Sequence, residues 1–488
     1  MASLEAPPVT LAFQCRASVT VGRPFLVTFT VASDVDAPLS GLIRVDPAPM
    51  LEMVSPFSRR RIDLPPRSRR SMTVAVRARG PGIHEIDLVY GTAGSAARTG
   101  ADVARLRLFV RASASGGDVL SFEDLLHVQA LEEVQGPDEA GYLLFPLRAP
   151  PAETSRPMLS PSRDARGALE VTGQLFYAAY GGGLVPGRRI RAELWARSRR
   201  GARVLTSTEV AADGSFRLSL PSGPPAGSRV IPVFTLRTPR WSIQTTRRKS
   251  YAWEAPALTV LEGTTDLGAL SIPAGQAAAE ACWIHSTLNL ALDLFERNAI
   301  DVSWWPSIPV QWPASGDFFA GSSVNLTQAR QWDVAGHELG HAIFHHGSSA
   351  ASAGGSHRID ECYSKTLAWS EGWASYFSAM VHLPRDAEDA AFEYLVPRRA
   401  PIRVENVPAD VCQGQTNEWR VAAALWDVYD THSDGDDACA VDFPTMWQAM
   451  REGNRVGELK RYAEDLKRRL SPSDAHSAAR ALQFNTIR

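Results

Sequence analysis

The N-terminal part of the chain alternates between apolar and polar positions in short runs. Runs at residues 25–31, 71–76 and 103–110 show this alternation and are separated by proline and glycine. Successive side chains of a strand point to opposite faces, so the pattern predicts strands with one buried face. Several such strands with no helical period predict an antiparallel, Ig-like β-sandwich over residues 1–112.

A second β-rich stretch follows a linker. Residues 113–166 are assigned to the linker because they begin near paired glycines, contain a short capped helical segment from Ser121, and end in a Pro-, Arg- and Ser-rich stretch. Residues 167–265 alternate again, and Asp213-Gly214 predicts a tight turn into a strand. The order of strands and turns resembles the transthyretin-like, carboxypeptidase-regulatory family of small β-sandwiches. That resemblance implies an accessory module without catalytic chemistry.

The spacing of apolar residues changes near residue 270. Across residues 273–298 apolar side chains recur every three or four positions, which predicts one long amphipathic helix. Residues 301–326 return to β character, and the remaining sequence is mostly helical in pattern. We therefore predict a multidomain chain in which two all-β sandwiches precede an α+β, mainly helical domain at residues 270–488.

Composition and charge exclude several classes of protein. With 44% hydrophobic and 21% charged residues, the 488-residue chain can bury apolar cores. A formal net charge of -2 lacks the positive field that nonspecific nucleic-acid binding needs, so no nucleic-acid partner is expected. No apolar run approaches the roughly 18–20 residues of a membrane span. The first residues show no signal-peptide pattern, so we expect a cytoplasmic protein by default, or a secreted one if the N-terminus is incomplete.

The cysteines provide no metal site of their own. Cys15, Cys282, Cys362, Cys412 and Cys439 are scattered and form no C-x-x-C pair, which argues against a zinc site built from cysteines. We interpret them as buried free thiols. One disulfide among the three that lie between residues 362 and 439 is the alternative.

The motif H-E-x-x-H at residues 337–341 carries the predicted chemistry. His337 and His341 are four residues apart and therefore share one face of a helix, where both imidazoles can reach one metal ion. Glu338 can then act as the general base on a zinc-bound water. Apolar neighbours predict that this helix is buried. The alternative is a core helix whose two histidines are only hydrogen-bonded.

A catalytic zinc ion usually takes three protein ligands, so a third one is needed. The metzincin pattern fails, because Phe344 and Gly347 occupy the positions of its glycine and its third histidine. His345 and His346 are assigned to the polar end of the helix. Glu371 lies in a predicted helix with large aromatic side chains, where a carboxylate is costly unless a cation neutralises it. Glu371 is therefore the predicted third ligand, and a solvent-facing glutamate is the alternative.

H-E-x-x-H followed by the downstream segment S-E-G-x-A resembles the gluzincin metallopeptidases, which have a thermolysin-like catalytic architecture. The resemblance covers roughly residues 273–450. It implies one zinc ion held by His337, His341 and Glu371, with Glu338 as the general base, and hydrolysis of peptide bonds in protein or peptide substrates. The spacing from His341 to Glu371 is longer than in the most familiar members, which leaves the subfamily open.

The same resemblance places the substrate next to a strand. Segment 318–326 falls where such folds have the edge strand that binds substrate backbone. Peptide hydrolysis also needs a donor for the oxyanion or the leaving amine, and His432 and Tyr429 are the candidates. An exposed loop histidine without a catalytic role is the alternative for His432. A catalytically inactive binding or structural protein on a peptidase-like scaffold is the alternative for the whole chain, and the intact motif favours the enzyme.

Overall fold

A computed structural model describes most of the chain. The described residues are 9–15, 18–33, 35–55, 59–92, 102–121, 124–125, 141–147, 167–198, 201–225, 228–259, 262–351, 353–354, 357–396, 399–433, 439–453 and 456–487. Of the predicted linker, residues 122–123, 126–140 and 148–166 lie outside these ranges. In its described part, Ser121 Oγ accepts a hydrogen bond from Asp124 N at 3.0 Å, which is the hydrogen bond of a helix N-cap.

The first β-rich region consists of two antiparallel sheets around one core. Its strands are β1 Val9–Gln14, β2 Pro24–Ser33, β3 Leu39–Pro47, β4 Leu51–Met53, β5 Arg59–Leu64, β6 Arg69–Ala78, β7 Gly82–Thr92, β8 Asp102–Ala112 and β9 Asp118–Ser121. One sheet has the order β1-β2-β6-β4 and the other β5-β3-β7-β8-β9. Alternate side chains of β2 are buried, and Phe29 and Val74 of one sheet share an apolar core with Ile43 and Leu88 of the other. The predicted β-rich N-terminal region is therefore present.

The second β-rich region contributes to two sheets. Its strands are β10 Tyr142–Pro146, β11 Leu169–Ala178, β12 Leu184–Pro186, β13 Arg191–Ser198, β14 Gly201–Glu209, β15 Ser215–Leu220, β16 Arg229–Thr235, β17 Trp241–Gln244, β18 Ser250–Glu254 and β19 Gly263–Ile272. In the smaller sheet, β12 and β15 pair antiparallel with β11, and β19 pairs parallel with it. The remaining strands belong to a larger sheet.

The larger sheet continues into the helical region. Three later strands belong to it, namely β20 Ile308–Gln311, β21 Phe318–Phe319 and β22 Val324–Asn325. The strand order is β14-β13-β16-β18-β17-β20-β22-β21, and β10 pairs with β18. β17 pairs parallel with β20, in the register Trp241 to Ile308. The predicted boundary between the second sandwich and the last domain, at residues 265–270, therefore falls within β19, and the larger sheet contains strands from both sides of it.

The C-terminal region is mainly helical, as the sequence pattern predicts. Its helices are α1 Ala281–Arg297, α2 Trp332–Gly347, α3 Lys365–His382, α4 Glu418–Tyr429, α5 Phe443–Glu452, α6 Leu459–Lys467 and α7 Pro472–Phe484, and its remaining strands are β23 Ala391–Phe392 and β24 Ile402–Arg403. The helix predicted at 273–298 begins later, with a 3₁₀ turn at Ala277–Glu280 before α1, because Gly275 disfavours helix at its start. Among the described helices, none has the length and apolar character that a membrane span requires.

The second β-rich region and the helices share one apolar core. Helix α1 lies against this β region, where Trp241 Nε1 donates to Nδ1 of His285 at 3.2 Å. The hydroxyls of Tyr177 and Ser286 lie 2.6 Å apart. Arg189 forms an ion pair with Asp293 at 2.7 Å. Hydrogen bonds, ion pairs and packing therefore fix α1 to the strands.

A disulfide joins Cys362 to Cys412, with 5.6 Å between their Cα atoms. The interpretation of all five cysteines as free thiols is therefore wrong for this pair, and the single-disulfide alternative is correct. The sequence alone does not show which cysteines pair, because these two residues lie 50 positions apart and meet only through tertiary packing. Cys15, Cys282 and Cys439 are free thiols.

Candidate metal centre

Helices α2, α3 and α4 pack closely at two glycines. A Cβ atom on Gly340 of α2 would lie 2.9 Å from Ala374 Cα of α3. A Cβ atom on Gly372 of α3 would lie 2.4 Å from Val421 Cγ1 of α4. Glycine in a helix costs about 1 kcal/mol relative to alanine, and here it permits backbones to approach where a side chain would collide. The side chains next to these crossings consequently meet between the helices.

His337, His341 and Glu371 converge at this crossing. His337 Nε2 lies 3.2 Å from Glu371 Oε2, and His341 Nε2 lies 3.0 Å from the same oxygen. The two Nε2 atoms are 3.1 Å apart. His337 and Glu371 are buried, with 7% and 5% of their surface exposed, so little water reaches the three atoms. The structure thus brings together the three side chains predicted as metal ligands.

The donor set fits a zinc ion. Ligand atoms about 2.0–2.2 Å from one tetrahedral ion lie about 3.3 Å from each other, which is close to the three separations observed. Two imidazole nitrogens and a carboxylate oxygen facing one another carry lone pairs that repel unless a cation or a proton lies among them. Two histidines and one glutamate are also a set that catalytic zinc sites use. Zinc at these residues remains a prediction.

The surroundings of the cluster determine the protonation state of His337, His341 and Glu371. Burial lowers the pKa of His337 to about 4, so its imidazole is neutral at neutral pH, as a metal ligand must be. His337 Nδ1 lies 3.1 Å from Ser375 Oγ, and with hydrogen on Nδ1 the lone pair of Nε2 faces the cluster. Burial opposes ionisation of Glu371, but the charges and hydrogen bonds of His341 and His337 hold its pKa well below the usual value. For His341, the Glu371 carboxylate outweighs burial and raises the pKa.

Glu338 lies beside the cluster with a different environment. Its side chain is buried, and burial raises its pKa to about 8; the charge of His341 opposes this, and the charges of Glu371 and Asp317 add to it. Among the described residues, none forms a hydrogen bond with this carboxylate. A carboxyl group with a raised pKa next to a metal-ligand set has the properties of a general base.

Segment 318–326, predicted to be the substrate-binding edge strand, contains the last strands of the nine-stranded sheet. Within the described strands, β21 pairs on one side only, with β22. The Phe319 ring packs against His345 at the end of α2, with 5.6 Å between ring centroids. Asp317 precedes β21 and accepts a hydrogen bond from Thr327 N at 2.7 Å, which closes this hairpin. The free edge of β21 therefore lies next to the helix that carries the motif.

The predicted donor His432 does not join the cluster. It follows the end of α4, whereas Glu418 at the start of α4 lies near Glu371. At 1.5 Å per residue, the end of α4 lies about 16 Å along the axis from Glu418. Tyr429, the other candidate, packs there under Arg385, whose guanidinium lies 4.6 Å from the ring centroid. Sequence distance from the motif gave no indication of how α4 is oriented.

Two residues that sequence reasoning missed do join the cluster, His357 and Glu418. His357 Nδ1 lies 2.6 Å from Glu418 Oε2, and His357 Nε2 lies 3.6 Å from Glu371 Oε2. Burial opposes protonation of His357, but the carboxylates of Glu418 and Glu371 outweigh it and raise its pKa to about 9. His357 stands in a Gly- and Ser-rich stretch without periodicity, so no local pattern marks it. A pairing of the nearby Cys362 with Cys412 would have indicated that this loop meets the start of α4.

Comparison with protein families gives a match in this region. The profile of the mycolysin C-terminal domain matches residues 278–486. These residues include the H-E-x-x-H helix, Glu371, His357 and Glu418, so the C-terminal part of the chain is peptidase-related. No curated protein matches the chain.

Several solved structures are similar to parts of the chain. The CARDB domain of a Pyrococcus furiosus protein covers 23% of this chain and 99% of its own, at 13% identity and a TM-score of 0.18. Native alpha-2-macroglobulin of Escherichia coli, from domain MG7 to the C-terminus, covers 39% of this chain and 23% of its own, at 15% identity and a TM-score of 0.20. A FixG-related protein of Vibrio parahaemolyticus covers 22% of this chain and 95% of its own, at 10% identity and a TM-score of 0.17. Similarity this low carries no conclusion about fold or function.

Proposed function

We propose that the chain is a zinc-dependent peptidase that hydrolyses peptide bonds in protein or peptide substrates. The observation that carries this proposal is the convergence of His337, His341 and Glu371, with 3.0–3.2 Å between their ligand atoms, beside the buried carboxyl group of Glu338. The match to a domain of mycolysin supports the same class of reaction. The free edge of β21 next to the motif helix supports a substrate with an extended backbone.

Each residue has a distinct part in the proposed reaction. A bound zinc ion supplies Lewis acidity, which polarises a carbonyl group and makes water more acidic. His337, His341 and Glu371 would hold the ion, and Ser375 fixes the ring of His337 so that Nε2 faces the other two ligand atoms. Glu338 takes a proton from the attacking water and returns it to the departing amine. The backbone of β21 aligns the peptide across the site.

Replacing Glu338 by Gln tests this division of roles. The amide keeps the size of the side chain and cannot accept the proton. We expect the variant to retain one zinc ion per chain and to lose turnover by roughly 10²–10⁴, the contribution of general acid–base catalysis. Zinc content is measured by plasma mass spectrometry, and turnover with a quenched fluorescent casein, with and without a chelator.

Glu371→Ala is the matched control for metal binding. It removes one ligand from the same cluster, so we expect it to lose most of the zinc while circular dichroism shows that the helices remain. Full turnover in zinc-loaded Glu338→Gln would contradict the mechanism. A zinc-loaded wild-type protein that hydrolyses neither casein nor a mixed peptide library would favour the binding or structural alternative.

A further inference from the structure

His357 lies between the carboxylates of Glu418 and Glu371. Metal binding by His337, His341 and Glu371 does not by itself explain either contact of His357. Its Nδ1 lies 2.6 Å from Glu418 Oε2, and its Nε2 lies 3.6 Å from Glu371 Oε2. One hydrogen bond joins Nδ1 to Glu418, whichever of the two atoms carries its proton, whereas 3.6 Å is too long for a hydrogen bond between Nε2 and Glu371. An ionised carboxylate only accepts hydrogen bonds, so the nitrogen that faces Glu371 is favoured as N–H. The hydrogen bond to Glu418 fixes the ring, and Nε2 is then directed toward the metal-ligand set.

The separation at Nδ1 argues against a second metal ion at this place. Two atoms bound to one ion lie about 3.3 Å apart, whereas 2.6 Å is the length of a strong, charge-assisted hydrogen bond. Glu418 and Glu371 also face different nitrogens of the ring, so a single ion bound to one nitrogen does not account for both contacts. His357 is therefore an oriented donor rather than the centre of another metal site.

The segment that carries His357 is fastened to the start of α4 by several bonds. Asn417 Nδ2 donates to Ile359 O at 2.8 Å and to Glu361 O at 2.9 Å. Tyr363 N donates to Thr416 O at 2.7 Å.

The Cys362–Cys412 disulfide adds a covalent link between the same two segments. Asn417 also caps α4, since its Oδ1 accepts from Arg420 N at 2.9 Å. His357 and Glu418 are consequently held in a fixed geometry before any substrate arrives, which is the condition for effective electrostatic stabilisation.

We propose that His357, oriented by Glu418, donates a hydrogen bond from Nε2 to the carbonyl oxygen of the scissile peptide bond as negative charge develops on that oxygen. This inference rests on the proposed peptidase function and assigns the donor role to His357 in place of the predicted candidates His432 and Tyr429. A substrate oxygen that approaches the cluster beside Glu371 comes within reach of Nε2, because Nε2 already lies 3.6 Å from the Glu371 carboxylate. No bond to His357 forms or breaks in this step.

The test compares His357→Ala with the wild-type protein in four measurements: zinc content, kcat, KM and binding of a peptidyl phosphonamidate. The tetrahedral phosphoryl group mimics the charged oxygen, and its affinity is measured by calorimetry without turnover. We expect one zinc ion per chain, a KM within about threefold, a kcat lower by about 10²–10³, and phosphonamidate affinity reduced by at least about tenfold. Added imidazole should restore part of the lost kcat.

Two further variants separate a donor from a structural role. Glu418→Gln should lower kcat by about 10–100-fold, as expected for a residue that orients a catalytic group. His476→Ala, on the exposed face of α7, is the matched control and should leave every measured value unchanged. The visible spectrum of the cobalt-substituted protein should be the same in His357→Ala as in the wild type, since His357 is not a ligand.

Three results would overturn the assignment of His357. One is unchanged kcat in His357→Ala when the wild type is active; another is loss of zinc or an altered cobalt spectrum in that variant. A wild-type content of two zinc ions per chain, falling to one in His357→Ala, would instead assign the residue to a second metal site. An inactive wild-type protein would refute the proposed function itself. This outcome differs from the three above because the wild-type protein already lacks activity, before any variant is measured.

Discussion

The two β-rich regions look alike in sequence and differ in how they are connected to the rest of the molecule. The first has its own apolar core, and within the described residues its backbone hydrogen bonds stay inside it. The second shares a core with all the major helices and extends its larger sheet into the helical region through the β17–β20 pair. Among the described residues, Phe109 of the first region and Leu125 of the linker belong to that shared core. One β region is thus an attached unit, and the other is part of the scaffold.

This difference changes the interpretation of the second region. The resemblance of the second region to small accessory sandwiches implies a module that can be removed. The strand order instead connects this region to the strands beside the candidate site. β17 aligns β20, β20 aligns β22, and β22 pairs with the edge strand β21 beside the motif helix. The position of the proposed substrate edge is therefore set by strands that precede residue 265. Alternating polarity predicts a strand and does not reveal which neighbour it pairs with.

The largest effect is expected from deleting the second β region. A chain that begins at Ile272 lacks β17 and exposes the apolar face of α1, including His285, the hydrogen-bond partner of Trp241. We expect it to be insoluble or to bind no zinc, in contrast to the simpler view that the last domain folds alone. A chain that begins at Gly141 loses the first region and the linker before residue 141, with Leu125 as the linker's one described buried residue in the shared core, and should fold, bind one zinc ion and retain peptide hydrolysis.

Soluble expression, zinc content and hydrolysis of a short quenched peptide measure the outcome for both chains. The short peptide matters because the first region can contribute to binding of large proteins without taking part in catalysis. A soluble, zinc-loaded chain from Ile272 would show that the shared sheet is not required. Failure of the chain from Gly141 would show that the first region is not an attached unit.

A pair of matched core substitutions provides the next test. Phe29 in β2 and Phe234 in β16 are both completely buried, and each Phe→Ala change should cost about 3–5 kcal/mol in its own core. All 13 tryptophans lie at or beyond Trp195, so their fluorescence reports only the second β region and the helices. Phe234→Ala should lower the denaturant midpoint of that signal and of zinc release together. Phe29→Ala should leave both midpoints unchanged and alter only circular dichroism.

Equal shifts of the tryptophan signal in the two variants would mean that the chain unfolds as a single unit. The substitution pair is controlled by Phe29→Leu and Phe234→Leu, which keep most of the buried apolar surface and should produce smaller shifts in the same signals.

Local sequence patterns predicted the features that depend on short spacing. His337 and His341 meet because positions i and i+4 share a helix face, and Glu371 was indicated by a carboxylate in an apolar helix. His357 and Glu418 meet through a loop that no period describes and a helix whose direction the sequence leaves open. The shared sheet is likewise a long-range pairing between β17 and β20. Spacing could not distinguish these arrangements, because each depends on contacts between residues far apart in the chain.

The smallest effect concerns a histidine at the contact between the second β region and α1. His285 is completely buried, its Nδ1 accepts a hydrogen bond from Trp241 Nε1 at 3.2 Å, and its Nε2 lies 2.9 Å from Arg188 O. Burial lowers its pKa to about 4; the hydrogen bond to Arg188 O opposes this, and the charges of Arg189 and Arg188 add to it. A protonated Nδ1 could not accept from the indole, so the folded state requires the neutral ring.

The sign of the pH dependence follows from this shift. The unfolded chain binds a proton at His285 near pH 6.5 and the folded chain only near pH 4, so the unfolded state gains protons first as the pH falls. The contribution to stability is present above about pH 6.5 and is lost between about pH 6.5 and 4, by up to about 3 kcal/mol.

His285→Gln keeps an acceptor for the indole and a donor for the carbonyl but does not titrate. Urea unfolding followed by tryptophan fluorescence at about pH 7.5 and about pH 5 should show a loss of about 2 kcal/mol in the wild type beyond that in His285→Gln. Taking the difference removes the pH dependence of other buried histidines, such as His382, whose pKa burial also lowers to about 4. The same loss in both proteins would mean that the contact between the β region and α1 does not depend on a neutral His285.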